Sequence, residues 1–536
     1  MVRVTPFASG VKLMMESLLK KTRGIRCIVL VLAATGSGWA SDLDTIGVTL
    51  LRQIDPALTG SGVRLAQAEA PESTNTPSPF EVNPSTVGQP SSLFTYISAS
   101  GTATTYPNSV GSQSAHAGSV GGHFYGTSGG VATQATHVDN YEASYFYNNV
   151  VAPGVAISDP IVNQSFIFDS QATNVDQAYD NYSANRKTLF VSGVGNSGPV
   201  SSPATCFNGI GVGAYGGFSS IGPTTNGARC KPDITAPAGA TSFSTPYVAG
   251  AAAILLQAAN RGDGGGNVSA ASDLRTLKGL LLNGAIKPSG WTNGLRSPLD
   301  ARYGAGILNV FNSWQQLSGG QHAFIESTSN PSGGPHPPGP NPNNEPALVG
   351  WDYNSIANTR SGGIYQEQVN HYYFNLNTNS GDTFAVTATL VWNRQSGKSA
   401  VNDLNLFLYD AGNASLVTCS TSAVDNVEHV FLTALPKGRY DLQVQKNPAS
   451  LVTASEAYAV AFEFFNLQLS ITPTTNNDVR ISWPISPAGF TLRSTTNLVP
   501  PVSWTAVNSP VSVVNNQNVV YLPATGGRQL LRLQRP

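Results

Sequence analysis

The chain reads as an α/β unit followed by antiparallel β-sandwich modules, and three observations predict that order. Up to about residue 318, strand-like apolar runs (GVRLAQAEA, TLFVSGV, GIGVGAYG) are interspersed with two helical signatures. These are AAAILLQAA after Pro246 and SDLRTLKGLLLNGA over 272–285, whose apolar residues recur at helical spacing. A Pro/Gly/Asn-rich stretch, NPSGGPHPPGPNPNNEP from Asn330, then interrupts the pattern and reads as an extended linker. Beyond it HYYFNLN, FAVTATLVW, LNLFLYD, HVFLTAL, RYDLQVQ and YAVAFEF alternate apolar and polar positions between NSGD, DAGN and PKG turns. That is the pattern of an antiparallel β-sandwich.

The expected organisation is a signal peptide over 1–40, an α/β domain over 41–318 and a linker over 319–346. A sandwich over 347–466 and a small β domain over 467–536 follow. The N-terminal reading rests on the basic Lys20, Lys21, Arg23 and Arg26, the short apolar CIVLVLAA, and a small-residue cleavage site near Ala40. No segment approaches the ~20 apolar residues that a transmembrane helix needs. TIGVTLLRQI, within 41–58, is expected as a helix covering the first core strand.

Composition excludes several partners. The formal net charge of −1 and the lack of a basic run with interleaved aromatics argue against nucleic-acid binding. Charged residues make up only 11%, well under the ~25% of a typical soluble domain, as suits an exported, loop-rich chain. Cys206 and Cys230 flank GIGVGAYG and are the candidate disulfide pair, with Cys419 left over. No Cys/His spacing fits a zinc site.

The most informative stretch is ATSFSTPYVAG, Ala240 to Gly250. Proline is tolerated in the first turn of a helix, so Ser242 is expected at or just before the entrance of a buried helix. There, free backbone N–H groups and the positive dipole end favour an oxyanion. An ordinary Ser/Thr N-cap is the plainer reading of a Ser-Thr-Pro taken by itself.

Other segments in a fixed order decide between the two. ATSFSTPYVAG resembles the serine motif of the subtilisin-like proteases (subtilases), G-T-S-x-A-x-P-x-V-A-G. HAGSVGG, His116 to Gly122, resembles their histidine motif, H-G-T-H-V-A-G. VSGVGNSG resembles the strand and turn presenting the oxyanion-hole asparagine, which falls on Asn196. TGSGVRLAQAEA resembles the first core strand and puts Glu69 at the position of the family's aspartate. VNQSF, FSSIGPT and KPDITAPAG extend the likeness, which runs from about Leu58 to Val310.

The resemblance implies a subtilisin-like domain with a largely parallel sheet flanked by helices. It implies a serine endopeptidase in which Ser242 is the nucleophile and His116 the base. Glu69 would orient the imidazole, and Asn196 would serve the oxyanion hole. Ser165 and Gly195 are implied to bind substrate, which would be protein or peptide. No cofactor is required for this chemistry. Structural calcium near Asn402, Asp403 and Asn405 is weighed against a turn or strand-edge role. ATLVW and VNDLNLFLYD resemble the jelly-roll modules behind many bacterial subtilases, and the C-terminal modules suit cell-surface or polymer contact.

The pattern departs from the family in five places. Glutamate replaces aspartate at 69 and is followed by Ala70-Pro71; Ala240 replaces a glycine. Ile167-Phe168 stand where glycines are usual, only two residues separate APAG from Ser242, and 41–58 has no room for a prodomain. Glu69 also raises the sedolisin relatives, but no acid follows His116 until Asp139, and Asn196 stands where they carry Asp. The competing functional class is a catalytically inactive scaffold used for extracellular binding or adhesion.

Overall fold

The computed structural model describes residues 41–168, 170–329, 345–377, 384–466, 468–474, 478–485, 487–499, 502–514, 517–524 and 529–534. The expected signal peptide and the Pro/Gly-rich stretch 330–344 lie outside the described residues.

The core strands of the first domain are β1 (Arg64–Glu69), β2 (Phe94–Ser98), β3 (Gly101–Ala103), β4 (His137–Glu142), β5 (Ile161–Gln164), β6 (Leu189–Gly193), β7 (Ile210–Tyr215) and β8 (Ile234–Pro237). They form one sheet in the order β8-β7-β6-β5-β1-β4-β2-β3, parallel throughout except for the β2–β3 edge pair. Side chains alternate between the two faces of a strand. Accordingly Leu65, Ile161, Leu189 and Val191 enter one apolar cluster, while Ala66, Ala68, Val162 and Phe190 enter the other. A parallel sheet needs both faces covered, and this one has clusters on both.

Three helices matter for the site: α1 (Ala115–Phe124), α2 (Thr173–Arg186) and α3 (Thr241–Arg261). α3 runs 21 residues and is buried along nearly its whole length, which is why its sequence is apolar on all sides. It packs on α1 and on β5, β6 and β7. A Cβ on Gly250 would come within 2.5 Å of the Val131 Cβ, so this crossing admits only glycine. The helix expected within 41–58 is present as two pieces, Asp42–Thr45 and Val48–Ile54, broken at Gly47 with φ 77°.

Cys206 and Cys230 are free thiols, which corrects the expected disulfide. They belong to different environments. Cys206 is buried among Tyr179, Tyr182 and Phe190, whereas Cys230 packs against the main core on the other face. Burial pushes the Cys206 thiol up to about 12.

The expected linker also begins too early at 319. Glu326–Ser329 forms β9, paired antiparallel with the strand that includes Gln368–His371. The sandwich strands are β10 (Val349–Ala357), β11 (Gln368–Leu376), β12 (Phe384–Trp392), β13 (Leu404–Asp410), β14 (Ser415–Ser420), β15 (Val427–Leu435), β16 (Gly438–Lys446) and β17 (Ser455–Phe465). They form two sheets, β9-β11-β16-β13-β14 and β10-β17-β12-β15, around one apolar core. Shorter antiparallel strands between Ser470 and Gln534 build the last module.

The sandwich is docked on the first domain by buried polar pairs. Asn208 exchanges two hydrogen bonds with the Arg394 backbone, at 2.8 and 2.9 Å. Arg394 pairs with Asp180 of α2 at 2.6 Å, with side chains 3% and 0% exposed. Helix α4 (Leu274–Asn283) lies against β12 and β17, where Asn283 Oδ1 accepts from the Thr387 and Thr389 hydroxyls at 2.9 Å each. Removing one partner of a buried ion pair strands the other charge. Arg394→Ala is therefore expected to cost about 3–5 kcal/mol, read as a lower unfolding midpoint. An unchanged midpoint would show that Asp180 finds other compensation.

Candidate active site

Glu69 is the last residue of β1, so its carboxylate sits at the carboxyl edge of the parallel sheet, where open α/β sheets place their ligands. The side chain has no accessible surface. Its Oε2 lies 2.8 Å from His116 Nδ1, and its Oε1 accepts from Gln67 Nε2 at 2.9 Å. Burial raises the affinity of Glu69 for a proton, and the hydrogen bond and charge of His116 oppose that rise. His116 is pushed above the ordinary histidine value, chiefly by its hydrogen bond to Glu69 and against burial.

His116 is in the first turn of α1. Ser114 caps that helix by accepting from the Ala117 N–H at 2.9 Å. Glu72 accepts from the Ala115 and His116 backbone N–H groups at 3.0 and 2.7 Å. A carboxylate at a helix N-terminus satisfies orphan donors and matches the dipole. Glu72 therefore fixes the entrance of α1, a role its place in the loop after Pro71 did not reveal.

Ser242 follows Thr241 in the first turn of α3. Pro246 is not in that turn, contrary to expectation; it stands one turn further in. Its missing N–H is the one that would bond the Ser242 carbonyl. Ser165 Oγ donates to that carbonyl instead, at 2.8 Å, and itself accepts from Asn163 Nδ2 at 3.0 Å. The structure thus spends the Ser165 hydroxyl on the serine-bearing turn.

Asn196 is exposed near the start of the loop after β6. Its Oδ1 accepts from the Thr241 backbone N–H and hydroxyl, both at 2.9 Å. A backbone N–H can only donate, so this contact fixes which end of the amide is oxygen and leaves Nδ2 free for a further acceptor. Gly195 has φ 101°, and a Cβ there would meet Ser220 Oγ at 2.9 Å, so the loop demands glycine. Ser165, Ile167, Gly195, Asn196, Thr241 and Ser242 line one cavity of about 110 Å³. Among the described residues, the Ser242 hydroxyl, the Ser242 N–H and His116 Nε2 have no hydrogen-bond partner. The Phe243 ring lies 5.8 Å from the His116 ring, flanking it on the α3 side.

The structure therefore joins Glu69 to His116, and Ser165, Gly195, Asn196 and Ser242 to one another around the cavity. No group of three or more His, Cys, Asp or Glu among the described residues is placed to hold a metal ion. Asn402 accepts from the Val452 and Thr453 N–H groups at 3.1 and 3.0 Å and donates to Glu456 at 2.6 Å. Asp403 accepts from Asn447, and Asn405 donates to Gln445.

The model of the Subtilase family matches residues 159–306. The match takes in Ser165, Gly195, Asn196 and Ser242 and begins beyond Glu69 and His116. Among solved structures, the crystal structure of tripeptidyl peptidase 2 (TPP II) is similar over 72% of this chain, at 13% identity and TM-score 0.30. This chain covers 43% of that one, under half its length. PliG of Aeromonas hydrophila, a periplasmic inhibitor of g-type lysozyme, is similar over 22% of this chain and 84% of its own, at 14% identity and TM-score 0.15. No curated protein matches the sequence.

Two outcomes follow from the geometry. A base must be neutral to accept a proton, and His116 is held above its ordinary 6.5. Any His116-dependent reaction should therefore lose rate as pH falls through a midpoint above 6.5, and a pH–rate profile locates it. Ser165→Ala leaves the Ser242 carbonyl without a donor and is expected to cost about 1–3 kcal/mol in thermal or denaturant unfolding.

Proposed function

We propose that the chain is a secreted serine endopeptidase that hydrolyses peptide bonds with Ser242, His116, Glu69 and Asn196. The observation that carries the reading is the 2.8 Å bond between His116 Nδ1 and the buried Glu69. With Nδ1 so occupied as a donor, Nε2 is the nitrogen left to act as base. Ser242 Oγ attacks the scissile carbonyl as Nε2 takes its proton, giving a tetrahedral oxyanion. Asn196 Nδ2 and the Ser242 N–H, both without partners, donate to that oxygen. His116 returns the proton to the departing amine, leaving an acyl-enzyme on Ser242. Water then attacks with the same base and releases the acid.

The N-terminal reading of residues 1–40 supports export, and among the described residues no helix is long and apolar enough to cross a membrane. The missing hydrogen bond between Ser242 and His116 favours one second reading, an inert scaffold for extracellular binding. Catalytic hydrogen bonds are often long before substrate binds and tighten in the complex.

A fluorophosphonate probe is expected to label the folded chain and not Ser242→Ala; a wild-type chain that stays unlabelled is the inert scaffold. Asn196→Ala is expected to lower turnover ~10²–10³-fold while labelling persists. Ile167 occupies the wall of the small cavity beside Ser242. A peptide-library digest is therefore expected to show small residues, such as alanine, immediately before the cleaved bond. Preference for large aromatic residues there would place the side-chain pocket elsewhere.

A further inference from the structure

Short polar side chains such as Asp often accept from backbone N–H groups just ahead of them. Glu69 is followed by Ala70 and Pro71, and proline has no N–H to give. Among the described residues, its donors are two side chains: His116 Nδ1 on Oε2 and Gln67 Nε2 on Oε1. Gln67 precedes Glu69 by two positions on β1, so both side chains leave the same face of the sheet.

Gln67 is itself fixed at both ends. Its Oε1 accepts from Tyr125 Oη at 2.6 Å, and its Nε2 also donates to the Ala117 carbonyl at 3.0 Å. The Ala117 carbonyl can only accept, so it fixes which end of the amide is nitrogen and turns it toward Glu69, leaving Oε1 to the buried Tyr125 hydroxyl. Gly121 makes room for that hydroxyl, since a Cβ there would lie 2.8 Å from Tyr125 Oη. Ala117 directly follows His116, so one amide is tied to both members of the pair.

We propose that Gln67, held by Tyr125 and the Ala117 carbonyl, is a positioning residue for the Glu69–His116 pair, supplying from the strand the second donor to the carboxylate. The inference rests on the catalytic reading only for its effect on rate; the hydrogen-bond geometry is testable without it. The ionisable groups facing Glu69 are His116, Tyr125 and Glu72, and those facing His116 are Glu69 and Glu72. Gln67 lowers the proton affinity of Glu69. Without it the carboxylate pulls harder on the Nδ1 proton, and the imidazolium persists to higher pH.

The test uses the full chain with labelled histidine and follows the His116 titration by NMR in wild type, Gln67→Leu and Tyr125→Phe. Fluorophosphonate labelling of Ser242 is measured against pH on the same samples. The expected result is an upward shift of the His116 midpoint in both variants, larger for Gln67→Leu. Labelling near neutral pH should fall in Gln67→Leu in proportion to the neutral fraction of His116 that the upward shift removes. An unchanged or lowered His116 midpoint in both variants overturns the proposal. Tyr125→Phe decides alone if Gln67→Leu does not fold. An unlabelled wild type whose His116 midpoint still moves in the variants overturns the peptidase reading and leaves Gln67 in its positioning role.

Discussion

A carboxylate with no accessible surface ends the central strand, and the surrounding structure depends on how that charge is balanced. Taking an ion out of water costs several kcal/mol even after relaxation, so Glu69 can remain ionised only if close donors replace its hydration. Two do, one from α1 and one from its own strand. The entrance of α1 must then be held at a fixed height above β1. Glu72 does this by accepting the two backbone N–H groups at the start of that helix, one of them that of His116 itself. The pair is thus defined by three side chains from a single stretch of six residues, Gln67, Glu69 and Glu72, with α1 laid across them.

The other half of the site is set by a defect in α3. Pro246 deletes one helical hydrogen bond, and the carbonyl it orphans belongs to Ser242. Ser165 fills the gap from the end of β5, and Asn196 binds the Thr241 N–H from the end of β6. Two strand ends are therefore fastened to one helical turn by hydrogen bonds that an unbroken, self-capped helix would not need. The glycines at 193 and 195 permit the approach: a Cβ on Gly193 would come within 3.2 Å of both Thr241 and Thr245 side chains.

Much of this was legible in sequence because it depends on local rules. The apolar run after Pro246 and the order of carboxylate, histidine, asparagine and serine motifs identify the domain and bring its residues together. The position of Pro246 within the helix was not legible, since the rule that proline opens helices fails where a side chain from elsewhere replaces the lost bond. Gln67 carried a signal in retrospect: a polar residue two before Glu69 in an otherwise small and apolar strand shares its face. Glu72 carried none, because its partners are backbone groups more than forty residues away. Cys206 and Cys230 look paired along the chain, yet the sheet separates their environments, and linear spacing cannot report which face a loop returns to. The linker was placed too early because Glu326–Ser329, ESTS, is a polar strand whose pairing partner alone defines it.

The docking of the sandwich was the least legible feature, and it bears on the cleft. Asp180 and Asp176 lie four residues apart on α2, hence on one helical face. Asp180 pairs with Arg394 of the sandwich domain at 2.6 Å. Asp176 accepts from Ser202 and Thr205 at 2.7 Å each, and the Ser202 carbonyl accepts from the Phe168 N–H at 2.8 Å. Phe168 directly follows Ile167, which walls the cavity beside Ser242. Polar contacts therefore lead from the sandwich to one face of α2, and from that face to the segment that replaces the expected glycines. The bond from the Phe168 N–H to Ser202 fixes the backbone next to Ile167, whose side chain is exposed at the cavity wall. On this argument the sandwich bears on the wall of the cavity beside Ser242 through the helix it clamps.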